Sequence, residues 1–174
     1  MSTILWSDSK PVSEIDLATR KNNRIPNAQA WELTNLDWKS SKDLEQRFTD
    51  RSVVQFVAGP CPVYNCHGLT FASRRTQVIP ESAGFGQILS DDGYERVDDS
   101  NGVRPGDVIV YFEEDGSPSH SGVVVWVKTS VFGAVPFVWS KWGRGQEAIH
   151  HFATCPYFVE NVQYFRLQEW QNEP

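Results

Sequence analysis

The sequence predicts an α+β fold in which short helices come first and an antiparallel sheet follows. After residue 66, Leu69, Phe71 and Thr76 recur at a loosely helical spacing. Beyond residue 106, valine-rich segments are joined by short polar loops, a pattern typical of a meander of antiparallel strands. The 174 residues, 40% of them hydrophobic, are enough for one compact domain with a sizeable core.

We expect two parts within this single domain. Residues 1–50 are predicted to form an N-terminal arm with a short helix, packed on the core. Residues 51–174 are predicted to form the main domain. The arm is polar apart from Trp6, Trp31 and Trp38, and we expect these tryptophans to pin it to the core.

The expected elements follow from local patterns. Ser40 or Ser41 can cap a first helix over 42–48, in which Leu44 and Phe48 form an apolar i, i+4 pair. The other elements predicted, in chain order, are a strand at 53–57, a helix that begins near residue 66, a short helix at 85–89, strands at 94–97, 107–112, 119–127 and 131–140, a loop at 141–145, and a last strand at 162–167.

Charge and hydropathy exclude two classes of partner. The net charge is −6, whereas a protein that binds nucleic-acid backbones normally presents a basic face. No segment has the length and hydrophobicity of a membrane span. The first residues lack a basic region followed by an apolar run, so we expect synthesis as a cytoplasmic chain, with export by a signal-independent secretion system left open.

The cysteines number three, Cys61, Cys66 and Cys155, so a disulfide framework is not expected. Cys61, Cys66, His67 and His120 include suitable zinc ligand types. No second closely spaced pair completes a ligand set, however. We therefore expect neither a metal site nor another cofactor.

Cys66 is the first candidate for catalysis. It follows an apolar run and a turn containing Pro60 and Pro62, so we place it in the first turn of a helix. Free backbone N–H groups and the helix dipole favour a thiolate at that position. The alternative is a small buried cysteine with a packing role only.

His120 is the second candidate. It begins a valine-rich strand directly after a loop, a position from which an imidazole can face a cleft. A cysteine and a histidine on separate elements suffice for thiol nucleophilic catalysis, because the histidine can remove the thiol proton. The alternative is a half-buried histidine without a catalytic role.

Three short motifs carry a family resemblance. Residues 65–69, Asn-Cys-His-Gly-Leu, resemble the Asp-Cys-Ser-Gly-Leu signature of the NlpC-type cysteine peptidases. Residues 103–111 are similar to the Pro-Gly-Asp strand of that family, and residues 119–125 to its histidine strand. The resemblance implies a papain-like fold, shared with the CHAP amidases, in which the cysteine helix packs on the sheet. Gly68 disfavours helix, so we expect another strand or a substrate to approach it closely; in the papain-like layout the histidine strand packs against this helix.

The resemblance also implies roles for individual residues. Cys66 would be the nucleophile and His120 the general base. A third polar residue normally orients the histidine from the next strand. Ser140 occupies that region here, and His150, Glu147 or a backbone carbonyl remain as alternatives.

The oxyanion and substrate contacts are expected near the cysteine. The backbone N–H of Cys66 is the natural oxyanion donor, and the side chain of Asn65 or Tyr64 could assist it. His67 stands where the family has a small residue, and it either narrows the site or points away from it. Trp142 lies in a glycine-rich loop and either contacts the substrate or belongs to the core.

The function expected from these residues is thiol-dependent hydrolysis of an amide or peptide bond. The resemblance implies a peptide or peptidoglycan-type substrate: either a bacterial cell-wall peptide or a target protein cut by a toxin-like effector. An effector of this kind would have an inhibitor or immunity protein as a partner. Two alternatives stay open: a papain-like acyltransferase and a non-catalytic binding module that retains the fold.

Overall fold

The computed structural model describes residues 13–49, 53–79, 84–99, 102–131 and 133–168. The described residues form an α+β fold, as the sequence predicts. The helices are α1 (Asn35–Arg47), α2 (Cys66–Ala72) and α3 (Gly84–Asp91). The strands are β1 (Asn27–Ala28), β2 (Val54–Ala58), β3 (Gln77–Val78), β4 (Tyr94–Val97), β5 (Val108–Phe112), β6 (Pro118–Ser130), β7 (Gly133–Lys141), β8 (Glu147–His151) and β9 (Val162–Leu167).

Seven strands form one antiparallel sheet in the order β2-β8-β7-β6-β5-β9-β4, and β1 pairs with β3 separately. The consecutive strands β5 to β8 form the predicted meander. Strand β8 is missing from the sequence-based prediction, because its glutamate and two histidines do not read as a strand. No helix in the described ranges is long and apolar enough to cross a membrane.

Both faces of the sheet are covered. On one face, Val108, Val110 and Phe165 pack against Phe85 of α3, and Ser121 of β6 contacts α2. On the other face lies a cluster of Ile109, Tyr111, Val124, Val138 and Tyr164. This second face is covered by residues from the connection 152–161 and, near β2 and β8, by side chains of α1.

Helix α1 begins earlier than predicted. Thr34 is its N-cap: the Thr34 hydroxyl accepts from the N–H of Asp37 at 3.1 Å, and the Asp37 carboxylate accepts from the N–H of Thr34 at 2.8 Å. This reciprocal capping box satisfies two N–H groups at the helix start. The prediction that Ser40 or Ser41 caps the helix is therefore wrong, because both serines lie inside it.

Trp31 and Trp38 do not hold the N-terminal arm against the core. Trp31 and Trp38 are 57% and 48% exposed, so the prediction that they pin the arm is wrong. Trp6 lies outside the described residues. Leu17 and Ile25 instead anchor the arm in a buried cluster with side chains of α2, β3 and α3.

Gly68 marks a close backbone approach, as expected, and the segment that approaches is the one that leads into β3. A Cβ added at Gly68 would lie 1.8 Å from the carbonyl oxygen of Thr76. After α2, Ser73 and Arg74 both adopt positive φ (50° and 64°), and the chain turns back on itself. Residue 68 must therefore lack a side chain for Thr76 to pass so near the helix.

Candidate active site

Cys66 is the first residue of α2, as predicted, and Asn65 caps the helix. The Asn65 Oδ1 accepts from the N–H groups of Gly68 at 2.8 Å and Val78 at 3.1 Å, while its Nδ2 donates to the Val78 carbonyl at 2.9 Å. These bonds fix the start of α2 against β3. They also occupy the Asn65 amide, so its capping role leaves little capacity to assist an oxyanion.

The Cys66 sulfur lies in a buried pocket of backbone donors. The backbone of Ser121, of His67 and of Cys66 itself hydrogen-bonds to the sulfur. The residue is only 5% exposed, and burial raises the pKa of the thiol to about 11 despite these bonds and the nearby Lys141 ammonium. The resting residue is therefore a thiol, because burial outweighs the stabilisation that the helix start offers a thiolate.

His120 is completely buried on β6. Its ring stacks on Tyr157, with centroids 3.8 Å apart and planes 7° from parallel. Within the described residues, neither ring nitrogen has a hydrogen-bond partner. Burial holds the pKa of His120 well below its usual value, with smaller contributions from His150 and His67, so the imidazole is neutral.

Cys66 and the His120 imidazole face different sides of the sheet. His120 pairs across the β5–β6 ladder with Tyr111, which belongs to the core on the side away from α2. Ser121, the next residue, points towards α2, where its Oγ lies 2.8 Å from Nδ1 of His67. Since side chains alternate along a strand, the imidazole lies on the side of the sheet away from α2, and no thiol–imidazole hydrogen bond is formed.

The third catalytic residue predicted from the sequence does not orient His120. The Ser140 Oγ lies 2.8 Å from Nε2 of His150, and Nδ1 of His150 lies 2.9 Å from the His151 carbonyl oxygen. Burial lowers the pKa of His150 to about 4. Because both nitrogens of His120 lack a hydrogen-bond partner in the part of the chain described, none of Ser140, His150 and Glu147 hydrogen-bonds to it in this conformation.

Glu147 is the centre of a polar network on the α2 side of the sheet. Its buried carboxylate accepts from the Tyr64 hydroxyl, from Arg74 at 2.8 and 3.0 Å, and from Trp139 Nε1 at 2.9 Å. Burial alone would raise the pKa of Glu147, but the bonds from Arg74 and Tyr64 outweigh it and hold the pKa below its ordinary value. Tyr64 therefore ties the segment before Cys66 to β8, and its hydroxyl is already engaged.

His67 and Trp142 are both interior residues. His67 is 1% exposed and packs edge-on against Phe85 at 5.1 Å, and burial lowers its pKa to about 3. Trp142 is 2% exposed and packs against Phe48 and Phe56, with ring centroids 4.8 and 5.4 Å away. The structure therefore places Trp142 in the core, and a substrate contact by its side chain is not supported.

Lys141 is the residue that the sequence interpretation missed. It was assigned to a loop, yet it is the last residue of β7 and has no exposed surface. Its Nζ donates to the Gly145 carbonyl and lies 5.1 Å from the centre of the Tyr64 ring. The signal in the sequence was the alternation of β7, which continues through Lys141 and directs its side chain towards α2.

The described residues contain no evident metal site. Across the described ranges, no group of three or more His, Cys, Asp or Glu side chains is arranged to hold a metal ion. Cys61, Cys66 and Cys155 are free thiols.

Comparisons of the chain with protein-family models, curated proteins and solved structures give no match.

Proposed function

We propose that the protein is a thiol-dependent hydrolase that cleaves an amide or peptide bond, with Cys66 as the nucleophile. The observation that carries the proposal is the position of Cys66 as the first residue of α2, where the backbone of Ser121 and of His67 favours negative charge on its sulfur. Donors of this kind favour negative charge on the sulfur and on a carbonyl oxygen under attack.

The chemistry of the proposal starts from a neutral thiol. As the Cys66 sulfur attacks the substrate carbonyl, its proton passes to a base and the new S–C bond gives a tetrahedral oxyanion. Collapse of this intermediate breaks the C–N bond, and the amine leaves with the transferred proton. Water then hydrolyses the thioester, releasing the acid and restoring the thiol.

His120 is the base in this proposal. Its ring is neutral and carries two nitrogens without partners among the described side chains, so it can accept a proton. It precedes Ser121, whose backbone bonds the Cys66 sulfur. In the present conformation the Tyr157 ring stacks on the imidazole. The proposal requires that substrate binding displaces Tyr157 with its connection 152–161 and also changes the path of β6 at residues 119–121, because the imidazole and the sulfur lie on different sides of the sheet.

The substrate class that we propose is peptidic. The Asn-Cys-His-Gly-Leu, Pro-Gly-Asp and Ser-His-Ser-Gly motifs support it through their resemblance to the NlpC-type enzymes. Cell-wall peptides and a target protein are the two substrates to assay first. A toxin-like role would add signal-independent secretion and an inhibitor or immunity protein.

A non-catalytic binding module is the second candidate. The observation that favours it is the placement of Cys66 and the His120 imidazole on different faces of the sheet, both buried. In such a module the two residues would be packing groups inherited with the fold. The two candidates differ in turnover and in the reactivity of the thiol.

The test uses Cys66→Ser with Cys155→Ser as the matched control, because burial also raises the pKa of Cys155, to about 12. Release of new amino groups is measured on peptidoglycan fragments and on a mixed peptide pool. We expect Cys66→Ser to lose at least about 10³-fold in rate and Cys155→Ser to keep the wild-type rate. Adding an amine acceptor separates hydrolysis from acyl transfer, since a transferase forms the new amide.

Labelling with iodoacetamide, together with the turnover assay, can contradict the hydrolase proposal. If the wild type turns over no substrate and Cys66 reacts no faster than Cys155, the protein is a binding module and the hydrolase proposal fails. If His120→Gln leaves turnover unchanged, His120 is not the base.

A further inference from the structure

Three consecutive hydrogen bonds tie the first two residues of α2 to strand β6. The Nδ1 of His67 lies 2.8 Å from Oγ of Ser121, and that Oγ lies 3.0 Å from Oγ1 of Thr70. The Thr70 Oγ1 lies 2.9 Å from the carbonyl oxygen of Cys66. We refer to these three bonds as the clasp. The clasp leaves α2 at residue 67, passes through β6 and returns to the first residue of α2.

The protons of the clasp can be arranged in only one direction. A carbonyl oxygen only accepts, so the Thr70 hydroxyl donates its one proton to Cys66. The Ser121 hydroxyl therefore donates to Thr70, and it has no proton left for the imidazole. The bond between His67 and Ser121 must then be donated by Nδ1–H. Because burial lowers the pKa of His67 to about 3, the ring is neutral and carries no second proton.

The other ring nitrogen of His67 makes a packing role a poor explanation for this residue. In the Nδ1–H tautomer Nε2 is an acceptor, and within the described residues it is buried without a partner. A buried polar atom in that state costs about 1–3 kcal/mol. An aliphatic side chain could pack against Phe85 without this cost. The hydrogen bond to Ser121 therefore explains the histidine better than its contact with Phe85 does.

We propose that His67 is a positioning residue, which acts through Ser121 and Thr70 to hold Cys66 in a fixed place on β6. This inference rests on the proposed function in treating Cys66 as the nucleophile. The clasp also fixes Ser121, whose backbone donates to the Cys66 sulfur. The change in the path of β6 that the proposed function requires then pivots at Ser121.

The first experiment reads the tautomer of His67 from the nitrogen-15 chemical shifts of its ring at pH 7, by long-range NMR correlation. We expect the proton on Nδ1 and none on Nε2. Thr70→Val removes the hydroxyl at the far end of the clasp and leaves the imidazole unaltered. The Ser121 hydroxyl then loses its acceptor and can donate to Nδ1, so rings protonated on Nε2 should appear. A wild-type ring protonated on Nε2, or a ring that Thr70→Val leaves unchanged, overturns the inference.

The second experiment separates positioning from packing by two amide substitutions. In His67→Asn the side-chain N–H can take the place of Nδ1–H, whereas in His67→Gln the amide lies one bond farther out, near the place of Nε2. Hydrogen exchange is measured at the Ser121 amide, with the Val124 amide of the same strand, which donates to the Asp107 carbonyl at 2.8 Å, as internal reference. We expect His67→Gln to speed exchange at Ser121 relative to Val124 at least about threefold, and His67→Asn to change this ratio less than about twofold. Equal effects of the two substitutions overturn the inference.

Turnover of a peptide substrate provides a third measurement. Since the clasp acts on the nucleophile and not on substrate binding, His67→Gln should lower kcat about tenfold and leave KM within about twofold of the wild-type value. His67→Asn should retain most of the activity, and a rise in KM at unchanged kcat contradicts positioning. The tautomer and exchange measurements need no substrate, so absence of hydrolysis refutes the proposed function and leaves them to decide on the clasp. The tautomer also needs no change at residue 67, so it decides if either His67 variant fails to fold.

Discussion

Mild acid is expected to destabilise the protein strongly, because three histidines are buried in their neutral form. These are His67, His120 and His150, each at most 1% exposed. Burial lowers the pKa of His67 to about 3 and that of His150 to about 4, and it holds the pKa of His120 well below its usual value. In the unfolded chain each histidine takes up a proton near pH 6.5. The free energy of unfolding therefore falls as the pH drops below 6.5, until the folded pKa values are reached.

The size of the loss in the free energy of unfolding follows from the histidine pKa in the unfolded chain alone. At pH 5 the solution is about 1.5 units below the unfolded pKa, which corresponds to about 2 kcal/mol for each histidine. Three such histidines together remove about 6 kcal/mol. A domain of this size is typically stable by about 5–15 kcal/mol, so at pH 5 we expect the protein to lose between about two fifths and all of its stability.

Guanidinium unfolding followed by tryptophan fluorescence measures this effect between pH 5.3 and 7. Near pH 5.5 the free energy of unfolding should change by about 4 kcal/mol per pH unit, corresponding to almost three protons. His67→Gln removes one titrating group, and the slope should fall by about one third. His151→Gln is the matched control, because His151 is only partly buried, and its substitution should change the slope by less than half as much.

A slope of one proton or fewer at pH 5.5 would refute the reasoning. So would equal effects of His67→Gln and His151→Gln, since burial would then not be the cause.

Two further substitutions test the packing of the fold. Gly68→Ala places a methyl group 1.8 Å from the Thr76 carbonyl oxygen, and we expect a loss of about 2 kcal/mol or more in urea unfolding, after allowing for the better helix propensity of alanine. Arg166→Met removes the partner of the buried Asp107, which it contacts twice at 2.8 Å, and we expect a loss of about 3 kcal/mol by the same measurement.

Both predictions have controls within the chain. An added Cβ at Gly86 in α3 meets no atom within 4 Å, so Gly86→Ala should stabilise the protein by up to about 1 kcal/mol. Arg96 and Asp98 form an exposed pair at 3.6 Å, and Arg96→Met should change stability by less than about 0.5 kcal/mol. If each variant changed the free energy of unfolding no more than its control, neither the close contact at Gly68 nor the buried ion pair would contribute appreciably to stability.

The sequence was most informative where local chemistry decides the structure. The valine-rich strands alternate clearly, and β5, β6, β7 and β9 appear close to their predicted bounds. The start of α2 was also predictable, because Asn65 caps it through bonds to nearby backbone. Strand β8 was not predictable, because it buries the polar residues Glu147 and His150. Their burial is tolerable because they hydrogen-bond to Tyr64 and Ser140, which lie on other segments of the chain.

The relative placement of Cys66 and His120 could not be predicted from the sequence, for a different reason. Residues 119–121 read Ser-His-Ser, with no apolar side chain to indicate which face is buried. A shift of one residue in register moves each side chain to the opposite face of a sheet. The pairing of His120 with Tyr111 decides the matter, and that pairing is fixed by the whole β5–β6 hairpin.

The strand order has a consequence for biosynthesis. Within the described residues β4 has one ladder partner, β9, which lies more than sixty residues later in the chain and also completes the free side of β5. While the ribosome is adding the intervening hairpins, β4 can pair with nothing native, and β5 is bordered only by β6. The sheet therefore closes only after residue 167 has emerged, and we expect nascent chains halted before β9 to remain susceptible to protease at residues 94–97.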